Sequence, residues 1–591
     1  MRWLFFHTAA ALALVAVLSP KVHAQATPVQ AVSPQTQPAL QNQPPATPDA
    51  TTLVPPVRPF RLPARIGVFG EARITLQQAL AMALANNKDI EASRIDREIS
   101  GYNLTGARGL YDPTIGAVSQ FLKQVNPVAS SLGGSATGAV LNRNWQTDPT
   151  LSGSSPWLGG TYHMDLSSQR IYTNNTFSTL NPQYPTALNF QYTQPLWRNL
   201  RYDQNRHTID VAQKNRLLSD QQFRLRVMQV VQQTERAYWE VFYAYNNLQV
   251  QLDSVEIARQ QDESNRRQQE QGLLAPIDVV AAQTQLANFE LNAYSAQSTL
   301  TQAENNLKTL MLEGRSSALW ASALVPVTAP DGAPPATPLS DALNEALANR
   351  PELSQVEISA QINAKDTRLY RDQTKPQVDL VGSYTRNGLA GLQITQSGVS
   401  PFTASFAPLV ERINTLSAAA GLDPINLSSG AVNTAPALLI GDYGQSLSNL
   451  WAGNFPTTQV QLRVSLPIRN RAAEANLSTA VAQGRRIQNQ REQVEQTIEA
   501  DVRNAMQLMQ SAELRLEAAR VQRESAEEQY NSEQRQFRAG TSTLFLVQQR
   551  QTTMITARSQ EHRAESDLGE AVSAYELAIG SILTQHNINL Q

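Results

Sequence analysis

Cysteine is absent from all 591 residues. That excludes disulfides, thiolate metal sites, cysteine nucleophiles and an acylated N-terminal cysteine. Histidine is scarce, with six in the chain. Two of them, His7 and His23, fall in a leading segment expected to be removed, and the remaining four are too scattered for a His-cluster metal site. Charge of one sign is also lacking: 48 basic residues face 50 acidic ones, a net charge of −2. No global attraction to nucleic acid follows from that balance. Walker loops, His-Glu-x-x-His and Gly-x-Ser-x-Gly are missing, so neither enzyme chemistry nor a cofactor is expected. A length prior of about 150 residues per domain suggests three or four units, a count that a repeat architecture would void.

The first stretch has the form of a secretory signal. Arg2 makes a positive n-region, Trp3 to Leu18 an apolar core, and Val22-His23-Ala24 a small-x-small cleavage site. Residues 1–24 are therefore expected to be removed, with maturation at Gln25. The alternative, an N-terminal anchor, needs about 20 apolar residues to span a bilayer and finds fewer. Beyond it no window approaches a transmembrane helix, so the mature chain is expected to be periplasmic, secreted, or in an outer membrane as a β-barrel. Residues 25–65 hold ten prolines and are expected to form an extended linker with no core of its own.

An internal repeat follows. The Leu76-Gln-Gln-Ala79-Leu80 helix with Ala83, Leu84 and Asn86 recurs as Leu339-Ser-Asp-Ala342-Leu343 with Ala346, Leu347 and Asn349, an offset of 263. At the same offset Ile90 meets Leu353, Pro113 meets Pro376, and Phe121 meets Tyr384. The chain reads as two tandem halves, 70–330 and 335–583, followed by a tail at 584–591. Each half reads helix, strands, very long helix, turn, helix. Ile498, Val502, Ala505, Met509, Ala512, Leu516 and Ala519 step by three and four, as do Ala282, Leu286, Phe289, Ala293, Ala296, Leu300, Ala303, Leu307 and Leu310. These are coiled-coil seams. They place helical hairpins at 204–312 and 471–580. No proline interrupts 204–270 or 471–537, so each is expected to be a rod of about 100 Å. Helices at 75–110 and 276–312, stacked end to end, would match one rod, and 339–373 with 541–580 would match the other.

Strands are expected near 113–123, 186–196, 376–387 and 457–468, with 160–172 a less certain fifth. Gln459-Val-Gln-Leu-Arg-Val-Ser-Leu alternates polar and apolar, as a barrel stave with one wet face should. Tyr162, Tyr192 and Trp197 are candidates for an interfacial girdle, or are ordinary aromatics at strand ends. The segments 126–159 and 388–456 read as long loops. Four strands cannot close a barrel, so several chains are expected to share one.

Taken with the strand exits Gln194-Pro195-Leu196-Trp197 and Leu466-Pro467-Ile468, and the turns Gln271-Gly272-Leu273-Leu274-Ala275-Pro276 and Arg538-Ala539-Gly540-Thr541-Ser542, the sequence resembles the TolC family of outer-membrane efflux and export channels. The resemblance covers nearly all of 70–583. It implies a mainly helical fold with transmembrane strands and a homotrimer whose shared twelve-stranded barrel stands in outer-membrane lipid. A helical tunnel would continue that barrel into the periplasm. The implied partners are a periplasmic adaptor of the membrane-fusion type and an inner-membrane transporter of the RND or ABC type. The cargo stays open. The turns at Gly272, Leu273, Leu274 and at Gly540, Thr541, Ser542 would be the adaptor-docking tips. The resemblance puts a periplasmic gate at Asp278, Phe537, Leu546 and Gln549, yet the family's Asp–Tyr link and acidic ring are missing from the last three positions. Asp278 is equally readable as an acid stabilising a helix N-terminus. The competing reading is a periplasmic coiled-coil adaptor or scaffold without a barrel.

Overall fold

In the computed structural model, residues 59–129, 134, 138–330, 337–394, 406–425 and 435–590 are described, all within one compact unit, Val57–Gln591. The expected leader 1–24 and the expected linker up to residue 58 lie outside them. The first half runs β1 (Gly70–Ile74), α1 (Leu76–Asn86), α2 (Lys88–Arg108), β2 (Thr114–Pro127), β3 (Ala139–Ser154), β4 (Thr161–Thr173), β5 (Leu180–Pro195), α3 (Gln204–Glu270) and α4 (Pro276–Met311). Strand β6 (Ser322–Pro326) closes that half, and the second runs α5 (Leu339–Asn349), α6 (Pro351–Gln373), β7 (Gln377–Gln393), α7 (Ala407–Ala419), α8 (Tyr443–Ala452), β8 (Phe455–Ser465), α9 (Arg471–Arg538), α10 (Leu544–Ile579) and α11 (Ile582–Gln585).

The rods form where the seams place them. Every seam residue of α9 from Ile498 to Ala519 is buried, and so is that of α4 from Ala282 to Leu307. The α4 seam then ends on Met311, fully buried, while Leu310 is half-buried. Small alanine knobs let the helices approach closely, and α10 packs on both α9 and α3, joining the halves. The duplicated alanines occupy matching places: Ala79 and Ala83 sit in one core cluster, Ala342 and Ala346 in its counterpart. The expected helix 75–110 breaks at Asn87, whose side chain caps α2 by accepting from the Asp89 and Ile90 N–H groups. The counterpart 339–373 breaks before Pro351, the N1 residue of α6.

A small parallel pair unforeseen in the sequence, β1 with β6, ties the start of the first half to its end. Tyr238 of α3, fully buried, holds it: the Thr328 N–H donates to its hydroxyl at 2.9 Å, and the hydroxyl lies 3.2 Å from the Ile74 carbonyl.

The large sheet corrects the strand count. It has six strands, in the order β2-β3-β4-β5-β7-β8, all neighbours antiparallel. The uncertain candidate at 160–172 is β4. Most of the expected loop 126–159 is strand: β2 continues to Pro127, and β3 occupies Ala139–Ser154. The first half therefore supplies four strands and the second two. The other expected loop, 388–456, also carries structure. There β7 continues to Gln393, and α8 lies against β5 and β7, its Ser446 meeting Thr186 at 2.9 Å. Among the described residues no helix is long and apolar enough to cross a membrane.

Both ends of the described chain are tied down, including the last residues of the expected linker and most of the tail. Phe60 stacks on Tyr294 at 5.5 Å, Gln297 donates to the Pro63 carbonyl at 2.9 Å, and Arg65 pairs with Glu304. At the other end, Ile588 packs on a core of α3 residues, and His586 pairs with Glu235.

Candidate functional site

The two tips share one backbone solution. After α3, the Gly272 N–H reaches the Gln269 carbonyl at 2.9 Å and the Leu273 N–H reaches Gln268 at 2.9 Å. After α9, the Gly540 N–H reaches Phe537 at 3.1 Å and the Thr541 N–H reaches Gln536 at 3.0 Å. This is the Schellman pattern, which needs a left-handed residue at the position after the cap. Gly272 and Gly540 both have φ of 75°. Nothing lies within 4 Å of where a Cβ would stand at either, so the turns are open to solvent.

The tips differ in how the returning helix starts. Pro276 opens α4, and the Asp278 N–H bonds the Ala275 carbonyl at 3.0 Å. Thr543 caps α10 through its side chain, and Ser542 hydrogen-bonds Glu533. Apolar side chains stand out at both: Leu273 is 73% exposed, and Ile277 and Phe545 are equally open, while Leu274 is half-buried. Sequence reasoning passed over Ile277 and Phe545. Their signal was an apolar residue in the first helical turn that falls outside the seam.

The gate candidates are not gathered into one cluster. Asp278, half-buried in the first turn of α4, has no ion pair among the described residues; it lies at the positive helix end. Phe537 packs partly buried against a four-helix cluster including Val255, Leu286, Tyr530 and Val547. Leu546 stands 37% exposed on α10. Gln549 lines an open groove of about 480 Å³ between α4 and α10 with Phe545, Gln548, Thr552 and Gln285, whose amide reaches Thr552 at 3.2 Å. A groove of amides, hydroxyls and one ring offers hydrogen bonds and an apolar anchor to a partner helix.

One cluster away from the tips combines titratable groups. The His586 Nε2 pairs with the buried Glu235, and Glu576 lies 3.7 Å from the same ring nitrogen. Among the described residues this is the one group of three potential metal-ligating side chains within 4.8 Å. Burial first, and the Glu235 charge second, push the Glu576 carboxyl up to about 7. The hydrogen bond to Glu235 raises His586. The ion pair already occupies the ring nitrogen, so the geometry is that of a clasp holding the C-terminal segment on α3.

Solved structures share this architecture at low identity. The outer-membrane channel OprN aligns over 86% of this chain and 90% of its own, with TM-score 0.57 and 14% identity. A membrane protein from Pseudomonas aeruginosa aligns over 89% and 100%, with TM-score 0.59 and 16% identity. The CmeC outer membrane channel of Campylobacter jejuni aligns over 90% and 95%, with TM-score 0.58 and 14% identity. No curated protein matches the chain. The family described as outer membrane efflux protein matches residues 156–311 and 438–581, one segment in each repeat and together half of the chain. Its strand pairs and helical hairpins leave the scaffold reading without support: the chain belongs to the outer membrane efflux protein family and is an outer-membrane efflux channel component of TolC type.

Proposed function

We propose that three copies form a passive duct from the periplasm through the outer membrane. Its tips would engage a periplasmic adaptor, which couples the duct to an inner-membrane transporter of the RND or ABC type. The observation that carries the reading is the equivalence of the tips. Gly272 and Gly540 end two rods of nearly equal length with the same hydrogen bonds and the same φ. A trimer would therefore present six alike turns in a pseudo-sixfold ring, which suits a partner built from repeated helical hairpins. Exposed Leu273, Ile277 and Phe545 supply apolar anchors, and the Gln- and Thr-lined groove supplies hydrogen bonds. In the same reading residues 1–24 are a cleaved signal.

A photo-crosslinking residue at Leu273 or Thr541, in cells expressing the chain, tests this. Adducts should join it to an adaptor from both tips, while the same probe at exposed Val481, near the barrel end of α9, should give none. Adducts from neither tip would overturn tip docking. A detergent-extracted protein that migrates as a monomer after crosslinking would overturn the shared duct.

A further inference from the structure

We infer that the outer-membrane barrel is a closed ring of eighteen strands, three copies of a six-stranded sheet, with β2 of each copy paired to β8 of the next. The inference rests on the reading of a trimeric duct.

The inserted hairpin β3–β4 is part of the barrel wall. In antiparallel neighbours, directly paired residues share a face and successive residues alternate. Two adjacent rows can therefore be followed across the whole sheet. Ile115 pairs with Leu151, Leu151 with Met164, Met164 with Phe190, Phe190 with Tyr384, and Tyr384 with Thr458. One residue away, Thr114 pairs with Ser152, Ser152 with His163, His163 with Gln191, Gln191 with Ser383, and Ser383 with Gln459. The first row is apolar through five strands and the second polar through all six. Ile115, Met164, Phe190 and Tyr384 are all exposed, and Leu151 is half-buried between its neighbours in the row. That is the lipid-out, water-in alternation of a membrane barrel, and it passes through β3 and β4 unbroken.

The hairpin also spans the full wall. Its turn, residues 155–160, is fastened to the strand–helix junction where β5 gives way to α3. The Gln194 amide donates to the Leu158 carbonyl at 2.8 Å, and the Arg206 guanidinium to the Pro156 carbonyl at 3.0 Å. Gly159 (φ 70°) has the Asn199 carbonyl 2.5 Å from where a Cβ would stand, so the turn is seated there tightly. From that level β3 and β4 rise beside their neighbours for 16 and 13 residues, more than the 9–11 that a tilted strand needs to cross a bilayer.

Strands β2 and β8 are the edges of the sheet, exposed along their whole length. In lipid, a row of unpaired N–H and C=O groups costs several kcal/mol per group, so both edges must be paired. They run in opposite directions, because six antiparallel strands separate an upward first from a downward last. A β2–β8 seam between copies is therefore antiparallel, and the ring closes with an even number of strands. Barrel diameter grows roughly linearly with strand number, so this bore would be about one and a half times that of a twelve-stranded barrel, in the class that leaves a wide aqueous channel.

The absence of native cysteine makes the test clean. Single cysteines at Thr150, Leu151 and Ser152 of β3, at His163, Met164 and Asp165 of β4, and at Val460 and Gln461 of β8 are labelled in outer-membrane vesicles with a charged, membrane-impermeant maleimide. Positions 150, 152, 163, 165 and 461 should label roughly tenfold faster than 151, 164 and 460, since a thiol held in lipid does not ionise. Alternation on β8 with uniform labelling on β3 and β4 would overturn the eighteen-stranded ring and leave the duct intact. No alternation on any strand would overturn the duct as well. Cryo-electron microscopy of the unmodified full-length oligomer in nanodiscs provides the check that needs no variant: eighteen strands with three β2–β8 seams are expected, and twelve strands would refute the inference.

Discussion

Arg65 grips the buried Glu304 with both terminal nitrogens, at 2.8 and 2.6 Å, across 239 residues of sequence. With the contacts of Phe60 and Pro63, this pairing makes residues 60–65 part of the helical wall. Lys308, buried beside Glu304 at 3.7 Å, spends its stronger hydrogen bond on the Ser322 carbonyl at 2.7 Å. Burial lowers its pKa, partly opposed by the Glu304 charge. Arg65 is therefore the main partner of that carboxylate. Arg65→Ala should destabilise the folded protomer by about 1–3 kcal/mol, since it leaves the buried carboxylate with only Lys308 at 3.7 Å. Deleting residues 25–58 should change nothing, whereas extending the deletion through 65 should lower the thermal midpoint of the extracted oligomer. Equal midpoints for the two deletions would show that the contact is energetically idle.

Tyr238 offers a second, smaller test. Its hydroxyl is the acceptor for the Thr328 N–H, and the ring is fully buried. Tyr238→Phe leaves the packing and orphans that donor, which should cost about 1–3 kcal/mol. The loss should appear as faster amide exchange confined to β1 and β6. Unchanged protection there would mean that water replaces the hydroxyl.

The C-terminal clasp should respond to pH. Glu576 titrates near 7 when docked, against an ordinary value of 4.5, and His586 is raised from its ordinary 6.5. On release His586 leaves Glu235, whereas Glu576 and Glu235 stay together on α10 and α3, so the proton that docking holds more tightly is that of His586. Docking is therefore stabilised by the protonated ring and loses strength as pH rises through the raised His586 value. Limited proteolysis at residues 582–590 should accelerate as pH rises through that value, and Glu235→Gln should flatten the profile. Acceleration toward acid would reverse the assigned sign.

The rods were legible because a seam of Ile498, Val502, Ala505 and Met509 announces itself at a 3.5-residue period, whatever lies elsewhere in the chain. Gly272 and Gly540 were legible for the same reason, each standing just past an uninterrupted rod. Strand β3 was not. Its inward face is Asn142, Asn144, Gln146, Asp148, Thr150 and Ser152, which reads as a polar loop, and its outward face carries only Leu141, Trp145 and Leu151 as large apolar groups. Pro149, inside the strand, reads against a central position. What makes it a strand is pairing on both sides, with β2 and β4, and such pairing is not encoded locally. The clasp of Glu235, Glu576 and His586 was hidden for a similar reason: Glu235 meets the other two, more than 300 residues away, only after the halves have packed.

The tip glycines separate strain from obstruction. A Cβ at 540 meets no atom within 4 Å, so the turn has room there, and the cost is that of a positive φ. For valine this is about 1–3 kcal/mol, small against the packing of a rod of about 100 Å. Gly540→Val should therefore leave oligomers in the outer membrane but abolish export, because two methyl groups project where an adaptor hairpin would seat. Gly540→Asn provides the contrast: asparagine tolerates the left-handed region, so it adds bulk with little strain. If bulk is what matters, Asn should weaken adaptor pull-down nearly as much as Val while leaving oligomer abundance at the wild-type level. Three readings from the same cells decide the matter: oligomer abundance, adaptor recovery and cargo retained. Export lost together with the oligomer in Val, but intact in Asn, would make the glycine a purely structural turn. Normal export in both variants would remove the second tip from the docking ring and leave the exposed Leu273 and Ile277 of the first to carry it.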